Sequence, residues 1–170
     1  MAPIVVNASP AAGAFAATFA PEGNLVVSET GVAGAVNGSA VSSYSIVANG
    51  TLSAINQSVP TLGAANCWNA VTPDGRWVYV SNAASATISG FAIDKNGALT
   101  PIGGTVVGAN PEGSTNLDIA ISANGRYLYT LNSGAGAIGI FAIQQDGTLV
   151  SLGETGDLPK DAGFNGIAAL

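Results

Sequence analysis

Residues 65–100, AANCWNAVTPDGRWVYVSNAASATISGFAIDKNGALT, contain short strand-like runs separated by turns. The segment Pro73-Asp74-Gly75-Arg76 is typical of a tight turn, because proline fixes φ and glycine supplies a positive φ. Residues 77–81 are β-branched and aromatic and predict a strand, and residues 87–94 predict another. The pair Asn96-Gly97 is a strong hairpin signal before a further strand. This stretch therefore predicts a small antiparallel sheet of four strands.

The same turn signals recur along the chain at a spacing of about 50 residues. The tight-turn marker begins at Pro21, Pro73 and Ala123. The hairpin marker begins at Asn49, Asn96 and Asp146. Four antiparallel strands in each repeat are typical of a β-propeller blade. A stacked sandwich is the alternative, but it does not require the same turn chemistry at the same offset in every repeat.

The repeat predicts an all-β fold, a partial β-propeller of three four-stranded blades with one extra strand at each end. The single domain, residues 1–170, has blades over about residues 13–58, 65–107 and 114–153. Residues 3–9 predict the outer strand of an earlier blade, and residues 163–169 predict the inner strand of a later one. Each open blade face exposes apolar surface to water, and this exposure costs about 25 cal/mol of free energy per Å². We therefore expect a homo-oligomer or a complementary propeller half to cover these faces.

The low content of charged residues and the negative net charge restrict the classes of partner that the protein can bind. Charged residues make up 8% of the chain, against about 25% in typical proteins, and the net charge is −6. Four scattered cations do not form a basic patch, so the sequence predicts neither nucleic-acid binding nor attachment to an anionic membrane. It predicts no metal and no cofactor. It leaves the compartment open, with a secreted location slightly favoured over a cytoplasmic one.

Several segments resemble the lactonase-type seven-bladed β-propellers, the 6-phosphogluconolactonase and carboxymuconate-cyclase-like family. They are PDGRWVYVSN at residues 73–82, ISGFAIDKNGALTPIGG at 88–104, SANGRYLYTLN at 122–132 and FNGIAA at 164–169. The resemblance covers about half of a full family member and implies the C-terminal half of such a ring. Enzymatic members draw His, Glu and Arg into the central cavity. The chain has no histidine, so the catalytic residues stay unknown.

Polar residues at the starts of the predicted inner strands are the candidate ligand-binding site, because inner strands line the central channel. They are Cys67, Trp68, Asn69, Asn116, Asp118 and Asn165. This set would suit a small polar ligand. The alternative is that these groups satisfy backbone donors in the tight connections between blades, or bind channel water. Cys67 has no histidine beside it to activate it, which indicates a structural thiol.

The sequence favours a non-catalytic binding or scaffold module that completes its fold by assembly. The alternative is a lactonase-like hydrolase of small sugar lactones whose site is completed by a second copy or a missing half. Two further expectations concern local structure. Asn82 and Asn132 are expected in loops, where asparagine tolerates left-handed backbone. The charge-poor segments 4–7 and 137–143 are expected to be edge strands open to self-association.

Overall fold

The computed structural model describes residues 4–170, so Pro3, the first residue of the predicted strand 3–9, lies outside the described residues. The described chain contains twelve strands and no helix, and therefore no helix that could cross a membrane. The strands are β1 (Ala14–Phe19), β2 (Leu25–Glu29), β3 (Ala40–Ile46), β4 (Leu52–Pro60), β5 (Asn66–Val71), β6 (Trp77–Asn82), β7 (Thr87–Ile93), β8 (Leu99–Ala109), β9 (Asn116–Ile121), β10 (Tyr127–Asn132), β11 (Ala137–Ile143) and β12 (Leu149–Thr155). They form three antiparallel sheets of four, each in simple sequence order.

The tight turns form as the sequence predicts. In the turn between β5 and β6, the Thr72 hydroxyl donates to Asp74 Oδ1 at 2.6 Å, and the same oxygen accepts the Arg76 N–H. Gly75 takes a φ of 69°, which other residues adopt only with strain. The turn between β9 and β10 repeats this arrangement, because the Ser122 hydroxyl donates to Asn124 Oδ1 at 2.8 Å. The side chains therefore fix both turns locally.

Alternate residues of β6 fill two separate cores between neighbouring sheets. Val78 and Val80 pack with Val26 of the first sheet, whereas Tyr79 packs with Leu128 of the third sheet. This alternation follows from the two-residue period of a strand. The Tyr79 hydroxyl donates to the Gly147 carbonyl oxygen at 2.7 Å, which satisfies its buried polar atom. The second sheet is therefore covered on both faces by its neighbours.

The three inner strands β1, β5 and β9 lie side by side, with β5 in the middle. We call the end where they begin, at Ala14, Asn66 and Asn116, the upper end, and the end where they finish the lower end. The loops between second and third strands and the connections between sheets lie at the upper end. The tight turns and the hairpins between third and fourth strands lie at the lower end.

The two predicted terminal strands are not formed, because neither segment has a partner strand for a backbone ladder within residues 4–170. Single side chains hold these segments instead. Asn7 Oδ1 accepts the Leu52 N–H at 2.8 Å, and Asp118 Oδ2 accepts the Ile167 N–H at 2.9 Å. The contact of Asn7 has a counterpart one blade later, where Asn56 Oδ1 accepts the Leu99 N–H at 2.8 Å.

The expectation that residues 137–143 form an edge strand is wrong. They form β11, which pairs with β10 on one side and β12 on the other. Its low charge reflects burial within the sheet rather than an exposed edge.

Candidate functional site

Two asparagines clamp the upper ends of neighbouring sheets together. Asn66, the first residue of β5, donates from Nδ2 to the Ala40 carbonyl oxygen at 2.8 Å. Asn116, the first residue of β9, donates in the same way to the Thr87 carbonyl oxygen at 3.0 Å. Both side chains are fully buried. Asn116 therefore satisfies a backbone acceptor in the neighbouring blade, whereas the alternative interpretation expected it to satisfy a backbone donor.

Asp118 is the one carboxylate on the three inner strands. It is 6% exposed, and its Oδ1 accepts the Ile119 N–H at 2.7 Å while Oδ2 accepts the Ile167 N–H at 2.9 Å. Burial raises the pKa of Asp118, and the two backbone N–H groups oppose that rise. Each oxygen keeps a second lone pair, so the carboxylate retains the capacity to accept a further hydrogen bond.

Cys67 lies half-buried near Asp118. Its Sγ donates to the Ala65 carbonyl oxygen at 3.4 Å. Burial raises the pKa of the Cys67 thiol, and the negative charge of Asp118 raises it further. A raised pKa keeps sulfur in the weakly nucleophilic thiol form. This environment favours the structural interpretation of Cys67 and makes it a neutral neighbour of the carboxylate.

The three remaining candidates differ in their surroundings. Asn69 is buried and donates to Ser28 Oγ at 2.8 Å, across the contact between the first two sheets. Trp68 packs against the core between the second and third sheets and meets Phe15 edge-on, with ring centroids 4.9 Å apart. Asn165 is exposed in the terminal segment. Asn69, Trp68 and Asn165 therefore lie in three different surroundings.

Two polar residues at the upper end escaped the sequence-based selection. Asn66 is the structural equivalent of Asn116, and the register shows it, because Asn66 pairs with Asn82 as Asn116 pairs with Asn132. Glu29, at the end of β2, is a fully buried carboxylate whose Oε1 accepts hydrogen bonds from two serine hydroxyls. The repeat contains a detectable signal for Asn66, since asparagine begins both NCWNA and NLDIA.

Asn82 and Asn132 were expected in loops with left-handed backbone, and this expectation is wrong. Each is the fully buried last residue of a second strand. Asn82 donates to Ser89 Oγ at 2.9 Å, and Asn132 donates to Asn110 Oδ1 at 3.0 Å. Asn82 therefore fastens strand ends within the second sheet and also donates to Thr87 Oγ1 across the following turn at 3.1 Å. Asn132 links the third sheet to the segment that follows β8 of the second sheet.

An open cavity of about 570 Å³ lies at the upper end of the first and second sheets. Its main wall is the loop between β2 and β3, residues 30–39, which we call the β2–β3 loop. The facing wall comes from Ala64 and Ala65, just before β5, and from the turn after β6. The Ser85 hydroxyl accepts the Ala64 N–H at 3.1 Å and fixes that side. Most of the lining is glycine, alanine and valine.

Three of the four cations lie at the lower end. Arg76 and Arg126 lie in tight turns, Lys95 lies in a hairpin, and Arg76 donates to the Gln145 carbonyl oxygen at 3.1 Å. Lys160 lies at the upper end, beside Gly136 of the third sheet. The residues described contain no group of three or more His, Cys, Asp or Glu arranged to hold a metal ion. The upper end therefore presents carboxylates and neutral polar groups together with one cation, Lys160.

A family model described as "Lactonase, 7-bladed beta-propeller" matches residues 25–116, which is more than half of the chain. The chain belongs to the seven-bladed β-propeller lactonase family. Its three sheets are blades of that fold, as the repeats in the sequence predict. No curated protein matches the sequence.

Solved structures show the same architecture. A putative 6-phosphogluconolactonase from Bacteroides uniformis has a TM-score of 0.72 and 21% identity, over 88% of this chain and 46% of that one. The periplasmic gluconolactonase PpgL from Pseudomonas aeruginosa has a TM-score of 0.68 and 19% identity, over 87% of this chain and 43% of that one. These similarities establish the fold. The chain spans less than half the length of these relatives.

Proposed function

We propose that the chain contributes to a lactone-hydrolysing site at the upper end of its inner strands, with Asp118 as the general base. Membership of the lactonase family supports the reaction class. The observation that carries the proposal is the placement of Asp118, a largely buried carboxylate on an inner strand with a raised pKa. A general base works best when its pKa approaches the operating pH, and burial moves Asp118 in that direction.

The reaction follows from ordinary acyl-transfer chemistry. The Asp118 carboxylate accepts a proton from a water molecule whose oxygen attacks the lactone carbonyl carbon. A tetrahedral intermediate forms, and its collapse breaks the bond between the carbonyl carbon and the ring oxygen. The ring oxygen leaves as an alcohol with the proton that Asp118 returns. The N–H groups of Ile119 and Ile167 hold the carboxylate in one orientation throughout.

Hydrolysis of glucono-δ-lactone in a pH-stat tests this role. We expect Asp118→Asn to lower the rate of hydrolysis by about 10²–10⁴-fold, the usual contribution of a general base. The matched control is Asp161→Asn, an exposed carboxylate at the same end, which should change the rate less than about twofold. Full activity in Asp118→Asn, or equal losses in both variants, would remove Asp118 from the reaction.

A non-catalytic role in binding the same ligands is the second candidate. Both oxygens of Asp118 already accept a backbone N–H, and three of the four cations lie at the lower end. A carboxylate held in this way suits recognition of ligand hydroxyl groups without proton transfer. Calorimetric binding of glucono-δ-lactone without any turnover would support this role and exclude hydrolysis by the chain.

We also propose that the two outer faces of the three-blade unit associate with a second copy or with a complementary propeller half. Phe19 on β1 is 60% exposed, and Val150 and Leu152 on β12 are 50% and 56% exposed. Exposed apolar faces of this kind are typical of protein interfaces. Light scattering after size exclusion should give a mass above that of one chain, and Leu152→Lys should lower it. A wild-type monomer at micromolar concentration would refute self-association.

A further inference from the structure

The β2–β3 loop distinguishes the first blade from the other two. Ten residues, 30–39, connect β2 to β3, whereas four residues make the equivalent connections at 83–86 and 133–136. The additional residues build one wall of the 570 Å³ cavity. Val32 and Val36 line this wall and are 69% and 86% exposed. The loop therefore holds apolar side chains at the upper end that the local fold leaves uncovered.

The cavity adjoins the proposed lactone site. Ala65 lines the cavity, and its carbonyl oxygen accepts the hydrogen bond from Cys67 Sγ at 3.4 Å. Cys67 is the second residue of β5 and Asp118 the third residue of β9, and these inner strands pack side by side with their first residues at the upper end. The negative charge of Asp118 acts on the Cys67 thiol, which agrees with this placement. A ligand whose polar ring lies against Asp118 therefore has apolar space available toward the β2–β3 loop.

Charge at the upper end disfavours an anionic ligand. The carboxylates there are Glu29, Glu112, Asp118, Glu154, Asp157 and Asp161. One cation, Lys160, accompanies them, and it lies over the third sheet, away from the cavity between the first two. A phosphate group in the cavity between the first two sheets would have no arginine or lysine among the lining residues to pair with it.

We infer that the ligand of this site is a neutral lactone with an apolar substituent, and that the β2–β3 loop binds the substituent. This inference rests on the proposed lactone function and specifies its substrate class. Each methylene buried in the cavity would tighten binding by about fourfold. Partial burial of a pentyl chain in an open cavity should still give at least about a tenfold gain.

Calorimetric titration of the full chain with four lactones tests the inference. The probes are δ-decalactone, δ-valerolactone, glucono-δ-lactone and its 6-phosphate. We expect δ-decalactone to bind at least about tenfold more tightly than δ-valerolactone, which lacks the pentyl chain. We expect the 6-phosphate to bind more weakly than the unphosphorylated sugar lactone. Equal binding of the first pair, or tighter binding of the 6-phosphate, would overturn the inference.

Substitutions of exposed valines test whether the β2–β3 loop causes the preference for δ-decalactone over δ-valerolactone. Val36→Asp places a carboxylate in the cavity wall and should reduce the preference for δ-decalactone to below about threefold. Val32→Asn is the second variant in the same wall and should also reduce the preference. Val47→Asp is the matched control, because Val47 is 46% exposed at the lower end, and it should leave the preference unchanged. An unchanged preference in both loop variants would overturn the role of the β2–β3 loop.

Binding of hexanamide distinguishes the apolar subsite from the lactone site, because hexanamide carries the alkyl chain without the ester. If hexanamide binds and Val36→Asp weakens it while no lactone binds, the lactone function fails and the apolar subsite stands. If lactones bind but neither δ-decalactone nor hexanamide responds to Val36→Asp, the lactone function stands and the subsite is refuted.

Discussion

Replacement of Asn66 by alanine should destabilise the contact between the first two blades. The change removes the hydrogen bond from Asn66 Nδ2 to the Ala40 carbonyl oxygen, which is 2.8 Å long and buried. Leaving a buried carbonyl without a partner costs about 1–3 kcal/mol. Part of this cost is offset, because the buried Asn66 Oδ1 accepts no hydrogen bond from the described residues and disappears with the side chain. We therefore expect a loss of about 1.5 kcal/mol in the free energy of unfolding.

Urea denaturation followed by tryptophan fluorescence measures this loss, and thermal unfolding should show a fall of about 3–6 °C in Tm. Asn165→Ala is the matched control, since Asn165 follows the same sequence pattern but is exposed. Its free energy of unfolding should stay within about 0.5 kcal/mol of the wild type. Similar values for the two variants would refute the role of the buried amide as a clamp between blades.

Three further predictions concern other contacts. Gly63→Ala should cost about 1–3 kcal/mol of stability, because its Cβ would lie 2.2 Å from Asn82 Cγ, whereas Gly156→Ala, with open space around it, should be neutral in the same urea titration. Tyr79→Phe should cost about 1 kcal/mol in thermal unfolding through loss of the 2.7 Å hydrogen bond to Gly147, and a neutral result would contradict that bond. Burial raises the pKa of Asp118 above its usual 3.8, so ionisation of this carboxyl opposes folding. The free energy of unfolding of the wild type, relative to that of Asp118→Asn, should therefore fall as pH rises from about 4 to about 7. Urea titrations across that range would refute this sign if the wild type gained relative stability.

The repeat in the sequence was sufficient to predict the blades, because each turn depends on its own residues. The markers at Pro73 and Asn96 form with local side-chain hydrogen bonds and glycines of positive φ. The fourth strands extend slightly beyond the blade ends predicted at about residues 58, 107 and 153, and β4 extends to Pro60. The pairing of β4 with β3 continues beyond two register shifts, and Ser58, which lies near one of them, has a φ of 49°. Hydrophobic pattern does not predict that kind of continuation.

The candidate site was harder to predict, because it depends on contacts between sheets. Asp118 and Asn116 were identified from their place on an inner strand. The role of Asn116 depends on the Thr87 carbonyl oxygen in the neighbouring blade. Asn66 was missed because it immediately precedes Cys67, the first residue selected on that predicted inner strand. The β2–β3 loop has no periodic pattern, so its valines gave no sign that they line a cavity.

The hydrogen bonds of Asn7 and Asn56 have a consequence for how propellers of this type change size. Each asparagine binds a main-chain N–H at the start of a fourth strand, at 2.8 Å in both cases. Every residue except proline carries a main-chain N–H, so the blade that donates it does not need a particular side chain at that position. We expect blades joined in this way to tolerate duplication and circular permutation, provided that the accepting asparagine is kept at its position.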